Sequence, residues 1–221
     1  MTTRQTLNTG NGSATRQRII EAAAALFATR GFHGTSTRDI AKEVGIRQPS
    51  LFHHFPTKQS ILAELLEQDL RPALDRIRCH SDTEVGAAAR LYSYLLDDVA
   101  ALVSSPFDSR GLYNDEVLLG GNLAAQRTLR QQLHDETKRL VEEGVESGQF
   151  RQVDTTFAQQ VVTGMLLDTI RMVGTIPTEG LKRRPREVAD FVLLGLLREP
   201  GALPLIRDEA MTLSTSVAID C

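Results

Sequence analysis

Apolar residues recur along this chain at three- and four-residue intervals, the spacing of one face of an α-helix, and no stretch alternates apolar and polar residues like a half-buried strand. The pattern predicts an all-α fold. A first helix over 15–30 carries Ile20, Ala23, Ala24 and Phe27 on one stripe and stops at Gly31, suited to a left-handed end. After a short turn at 32–35, Ser36 is placed to cap a second helix. Asp39 completes an acidic capping box, Ile40, Ala41 and Val44 face inward, and Gly45 ends the helix. A third helix over 48–55 admits Pro49 only in its first turn, where the missing N–H matters least, and points Leu51 and Phe55 to the core. Pro56 breaks the chain. Thr57 then caps a long helix with the stripe Leu62, Leu65, Leu66, Leu70, Ala73 and Ile77, kinked at Pro72.

Further helices are predicted over 83–104, where Val85, Ala88, Tyr92, Leu95, Val99 and Leu102 form the stripe, and over 109–119 and 123–147. Asp154 caps one that runs to about 173, and the last spans 186–198 after a basic loop, Lys182-Arg183-Arg184-Pro185. These last two are apolar nearly all round, so they need cover on faces that the chain's own elements do not reach. A second copy of the chain supplies it, which predicts a homodimer built on them. The expected organisation is an N-terminal arm over 1–13, a three-helix domain over 14–59, a helical body over 60–200 and a tail over 201–221.

Composition narrows the class. At 221 residues and 41% hydrophobic, the chain can bury a real core. Its longest apolar stretches, near 161–173 and 191–197, fall short of the roughly 18 residues that a membrane span needs, and its start lacks a leader pattern. A cytoplasmic protein is expected. Cys79 and Cys221 show neither metal-ligand nor framework spacing and are expected as reduced thiols. The net charge of −3 conceals an asymmetry: residues 1–58 hold eight Lys/Arg against three acids, +5, which leaves −8 for the rest. A basic segment joined to an acidic body suits a polyanionic partner at one end only.

Two short helices joined by a tight Gly-containing turn, 37–44 and 48–54, have the spacing of a helix-turn-helix, whose second helix enters the major groove of DNA. Its polar outward residues are Arg47, Gln48, Ser50, His53 and His54, all able to hydrogen-bond with base edges or phosphates. Lys58, in the first turn of the next helix, is placed to attract a phosphate. Adjacent His53 and His54 diverge by about 100° on a helix, which disfavours a shared metal ion, and no metal site is expected. An enzyme would need a nucleophile with its base, a carboxylate pair or a Gly-rich phosphate loop, and none appears with usable spacing. A protein-binding helical adaptor would account for the apolar helices but not for the basic first domain.

The detailed string adds to this. Ile19-Ile20-Glu21-Ala22-Ala23, Leu26-Phe27, Gly31-Phe32, Thr35-Ser36, Arg38-Asp39-Ile40-Ala41, Val44-Gly45-Ile46, Ser50-Leu51-Phe52, His54-Phe55 and Lys58 through Leu62 follow one another without a gap over 15–66. This stretch resembles the DNA-binding domain of the TetR family of transcriptional regulators. The resemblance implies that Arg38, Gln48, Pro49 and Ser50 meet bases, with Pro49 against a thymine methyl. It implies phosphate contacts for Thr35, Ser36, Thr37, His54 and Lys58. The family usually has Tyr where this chain has Phe52, so a phenolic contact is missing there. His53 stands at a variable position and is a candidate for operator discrimination.

Beyond residue 66 the resemblance is one of architecture. It implies a repressor, needing no cofactor, that a small-molecule effector releases from a palindromic operator, and a four-helix bundle formed by the last two long helices of each copy. Candidate pocket residues on the middle helices are Tyr92, Leu95, Leu96, Phe107, Tyr113, Met165, Asp168 and Met172. Asp168 shares a stripe with Val161, Met165 and Met172. A buried carboxylate there either holds a ligand's polar group or pairs with Arg171 or with an Arg across the dimer.

Overall fold

The computed structural model describes residues 9–79, 84–113, 118 and 122–217. Among them are nine α-helices: α1 (Thr9–Arg30), α2 (Thr37–Val44), α3 (Gln48–His54), α4 (Lys58–Arg78), α5 (Ala87–Val103), α6 (Ala124–Glu146), α7 (Thr155–Met172), α8 (Thr178–Leu196) and α9 (Leu203–Val217). Short 3-10 turns occupy Ser109–Gly111 and Pro200–Ala202, and the only extended pairing among the described residues is an isolated bridge between Phe150 and Leu197. The fold is all-helical, as the periodicity requires. No helix of the described residues is long and apolar enough to cross a membrane.

Two compact units share the chain, one drawn from Met1–Asp69 and Ser105–Arg127, the other from Leu70–Ser104 and Thr128–Cys221. The division falls inside α4, ten residues beyond the boundary expected at 59/60, because the apolar stripe of α4 runs on without a break. In the first unit, Ile19, Ile20, Ala23, Ala24 and Phe27 of α1 are buried with Ile40 and Val44 of α2, Leu51 of α3, Phe55, and Ile61, Leu62, Leu65 and Leu66 of α4. Arg16 of α1 stacks on the Phe55 ring at 4.5 Å and reaches the Glu64 carboxylate at 2.7 Å, so one guanidinium ties α1 to the end of α3 and to α4. The 3-10 turn lies so close on α1 that a side chain at Gly111 would meet the Phe27 backbone at 2.4 Å.

In the second unit α5 is the central element and packs against α7, α8 and α9. Ala87, Ala88, Leu91, Tyr92, Leu95 and Val99 are buried along it. Two polar contacts sit within this apolar packing. Tyr92 donates its hydroxyl to Asp190 of α8 at 2.8 Å, and Arg207 of α9 holds the same carboxylate at 2.6 and 2.9 Å. Buried Asp98 accepts from Arg76 at 2.5 Å; burial pushes its carboxyl pKa up while the guanidinium opposes the rise.

Several expectations need correction. Helix α1 starts at Thr9, inside the segment expected as an arm. Of the helix expected over 109–119, the first three residues form a 3-10 turn and Leu118 is helical; 114–117 and 119–121 lie outside the described residues. Helix α8 begins at Thr178, so Lys182-Arg183-Arg184-Pro185 is helical rather than a loop. Pro177 precedes it at the N-cap, where its missing N–H removes no intrahelical bond, and Pro185 sits in the interior. The expected tail is α9, whose Leu203, Ile206, Ala210 and Leu213 are buried. Cys79 is disulfide-bonded and not the reduced thiol expected; Cys221, the chain's other cysteine, lies outside the described residues.

Candidate DNA-binding site

Local chemistry fixes both ends of α2. The Ser36 hydroxyl accepts from the Asp39 N–H at 3.1 Å, and the Asp39 carboxylate accepts from the Ser36 N–H at 2.9 Å, a reciprocal capping box. The Ser36 hydroxyl also donates to the Asp39 carboxylate at 2.5 Å, and this bond, with that from the Ser36 N–H, holds the Asp39 carboxyl below its ordinary range. At the other end Gly45 turns left-handed, φ 74°, and its N–H returns to the Ala41 and Lys42 carbonyls. Arg18 of α1 donates to the Val44 carbonyl at 2.5 Å, satisfying an acceptor that the helix end leaves open.

Helix α3 follows after Ile46 and Arg47, with Pro49 in its first turn. Leu51 and Phe55 anchor it in the core. At 100° per residue, Pro49 and His53 face away from Leu51 and Phe52 stands about 100° from it; all three are exposed, as are Arg47 and Arg38 of α2. Gln48, Ser50 and His54 flank that side and are half-buried. The outward face is therefore less polar than the sequence reading supposed. Phe52, 44% exposed, presents its ring there instead of packing inward. Gln48 donates from Nε2 to the Thr37 Oγ1 at 2.9 Å, which links the first residues of the two helices.

Two of the expected phosphate contacts have other work. Thr35 is buried, and its hydroxyl donates to the carbonyls of Gly31 at 2.9 Å and Leu26 at 3.2 Å; its side chain closes the α1–α2 turn and has no proton left for DNA. Lys58 extends across the same turn. Its Nζ donates to the carbonyls of Phe32 at 2.5 Å and Thr35 at 2.6 Å and lies 4.2 Å from the centre of the Phe32 ring, and partial burial lowers its pKa. An ammonium has three donors, so one remains for a phosphate. Thr57, the cap of α4, exchanges hydrogen bonds with Ser60 at 3.0 and 3.2 Å, as its position predicts. Sequence reasoning missed Arg16, Arg18 and the Thr37–Gln48 bond, since contacts between residues distant in the chain carry no local pattern.

The expected pocket residues do not share one environment. Tyr92 and Leu95 are buried in the packing of α5, with the Tyr92 hydroxyl committed to Asp190. Leu96 and Met165 are half-buried in the same unit, whereas Asp168 and Met172 are exposed on α7, so Asp168 is not a buried carboxylate within one chain. Phe107 and Tyr113 belong to the first unit, where Tyr113 donates its hydroxyl to the Asp69 carboxylate. Besides Met172, the exposed large apolar side chains of the second unit lie on α7 (Phe157, Val161), α8 (Phe191, Leu194) and α9 (Leu205, Met211). Phe157, Val161, Met165, Phe191 and Leu196 line one groove between α7 and α8.

Residues 19–65, which hold α2, α3 and most of their supports, match the family of bacterial regulatory proteins named for TetR. The transcriptional repressor KstR2 of Rhodococcus jostii (strain RHA1) is 32% identical over 150 residues, covering 65% of this chain and 72% of that protein. The crystal structure of Mycobacterium smegmatis AmtR aligns over 96% of this chain and 98% of its own, with a TM-score of 0.73 and 27% identity. AibR, solved in complex with isovaleryl coenzyme A and operator DNA, has the same fold, with a TM-score of 0.65 and 19% identity over 84% of this chain and 98% of its own. From the helix-turn-helix geometry and these relationships together, the chain belongs to the TetR family of DNA-binding transcriptional regulators.

Proposed function

We propose that this regulator works in the cytoplasm as a homodimer that represses transcription from a near-palindromic operator and leaves it when a small molecule binds the helical body. The observation that carries the DNA reading is the capped α2–α3 pair, which holds Arg38, Arg47, Gln48, Pro49, Phe52 and His53 on or beside one exposed side. Arg offers a bidentate donor pair to guanine, Gln an acceptor and donor to adenine, and the Pro49 and Phe52 rings suit thymine methyls. Ser36, Thr37, His54 and the free donor of Lys58 would fix the register on phosphates, and Ser50, half-buried at the edge of that side, would meet a base. Thr35 supports this face from within.

The exposed apolar groove of α7 and α8 supports the dimer. Phe157 and Phe191 are 60% and 68% exposed, far more than such rings retain in a finished core. With a second copy seated there, Asp168 and Arg171 would enter or border the interface. For the effector, the thioester solved with AibR makes acyl coenzyme A compounds the first class to screen. Mobility shift against genomic fragments, with and without each compound, tests the whole reading: a few fragments shift tightly and one compound class releases them. Uniform weak retardation of all fragments would contradict it.

A further inference from the structure

The Gln48 side chain is held in place by its own protein. Its Nε2 donates to the Thr37 Oγ1 at 2.9 Å, and both residues are only half-buried, so the remaining amide atoms stay within reach of a partner. A primary carboxamide carries two N–H donors and one acceptor oxygen. With one N–H on Thr37, the other N–H and Oε1 remain as a donor and an acceptor. Of the four bases, adenine offers the matching pair at its major-groove edge, N7 accepting and N6 donating, whereas guanine offers two acceptors. An untethered glutamine turns about its terminal torsion in a broad, roughly two-fold well and exchanges the positions of its oxygen and nitrogen. A hydroxyl that accepts from Nε2 while its own proton is drawn to a phosphate holds one of the two.

We propose that Thr37 is the positioning residue for base reading: by fixing the Gln48 carboxamide it makes adenine the preferred base at the operator position that Gln48 meets. The inference rests on the reading of Gln48 as a base contact. It also gives the Thr37 hydroxyl two partners, since it accepts from Gln48 and keeps its own proton for a phosphate.

The test measures binding of the full chain to every single-base variant of an operator recovered from random duplex DNA, for the parent, Thr37→Val, Thr37→Ser and Gln48→Ala. Thr37→Val keeps the β-branched shape and removes the hydroxyl. It should reduce the adenine preference at one position of each half-site by roughly fivefold or more, the lower edge of what a bidentate base contact discriminates. Preferences at other positions and the salt dependence should hold, and Thr37→Ser should restore the parent profile. Gln48→Ala should erase the same preference. If Gln48→Ala erases it and Thr37→Val leaves it intact, whatever Thr37→Val costs in overall affinity through the lost phosphate contact, Thr37 is not the positioning residue. If Gln48→Ala changes no preference, the reading of Gln48 fails first, and the proposal with it. Should Thr37→Val not fold, Thr37→Ala carries the same comparison.

Discussion

Lys58 answers two demands with one ammonium. Two of its donors close the carbonyls of the α1–α2 turn, and the third is free to meet a phosphate. Lys58→Ala should therefore act twice. Losing hydrogen bonds from a charged donor lowers stability by about 1.5 to 3 kcal/mol, read from denaturant unfolding. Losing one phosphate contact flattens the slope of log affinity against log salt by roughly one unit. A destabilised variant with an unchanged slope would assign Lys58 to the turn alone. His54, half-buried at the edge of the same face, is expected to contact phosphate, so His54→Ala should weaken operator and random duplex by the same factor. A loss confined to the operator would make it a base contact. At this scale the sequence marks which residues can face DNA, because a capped helix with a known core side leaves its exposed residues determined. It does not mark which of them the fold already employs. Thr35 reads as a phosphate ligand, and Lys58 as that alone, because nothing local shows that Leu26, Gly31 and Phe32 present carbonyls to them.

Among elements, α1 is held to α4 by the Arg16–Glu64 pair, which also leans on Phe55. The hydrogen bond from Arg16 holds the Glu64 carboxyl below its ordinary range. A depressed folded pKa stabilises above the unfolded value, near 4.5, and that contribution is lost as pH falls through the folded one. Glu64→Gln should thus cost about 0.2 to 1 kcal/mol at pH 7, the range of a solvent-screened pair, and less at pH 3, measured by urea unfolding at both. Equal costs at the two pH values would mean that the charge plays no part. The elements of the first unit were legible because Ser36, Gly45, Pro49 and Thr57 punctuate them. The start of α8 and the whole of α9 were not. Pro185 reads as a helix beginning, yet the helix passes through it, and 203–217 lacks a capping residue to announce a helix whose apolar side rests on α5.

For the whole molecule, the account requires two copies. Leu194, 48% exposed, stands on α8 three residues after Phe191 and so on the same side of the helix. Leu194→Asp would leave an unpaired carboxylate in the proposed interface, a cost of roughly 3 to 5 kcal/mol. The variant should sediment as a monomer at concentrations where the parent is dimeric and lose operator binding. A dimeric Leu194→Asp variant would move the interface off this groove. If the dimer couples effector to operator, the coupling is reciprocal, and operator DNA must weaken effector binding by the factor that effector weakens operator binding. Composition foretold none of this directly. Its contribution was the apolar character of 155–173 and 186–198, which exceeds what one chain covers, together with a basic first segment.

The most direct measurement is selection of bound sites from random duplex DNA by the full chain, followed by sequencing. A dimer with two recognition helices about 34 Å apart reads half-sites one helical turn apart. The account predicts an inverted repeat with half-site centres roughly 10 base pairs or a multiple apart, and an adenine preference at one position in each half. Enrichment of a single unpaired half-site, or no enrichment above random sequence, would contradict it.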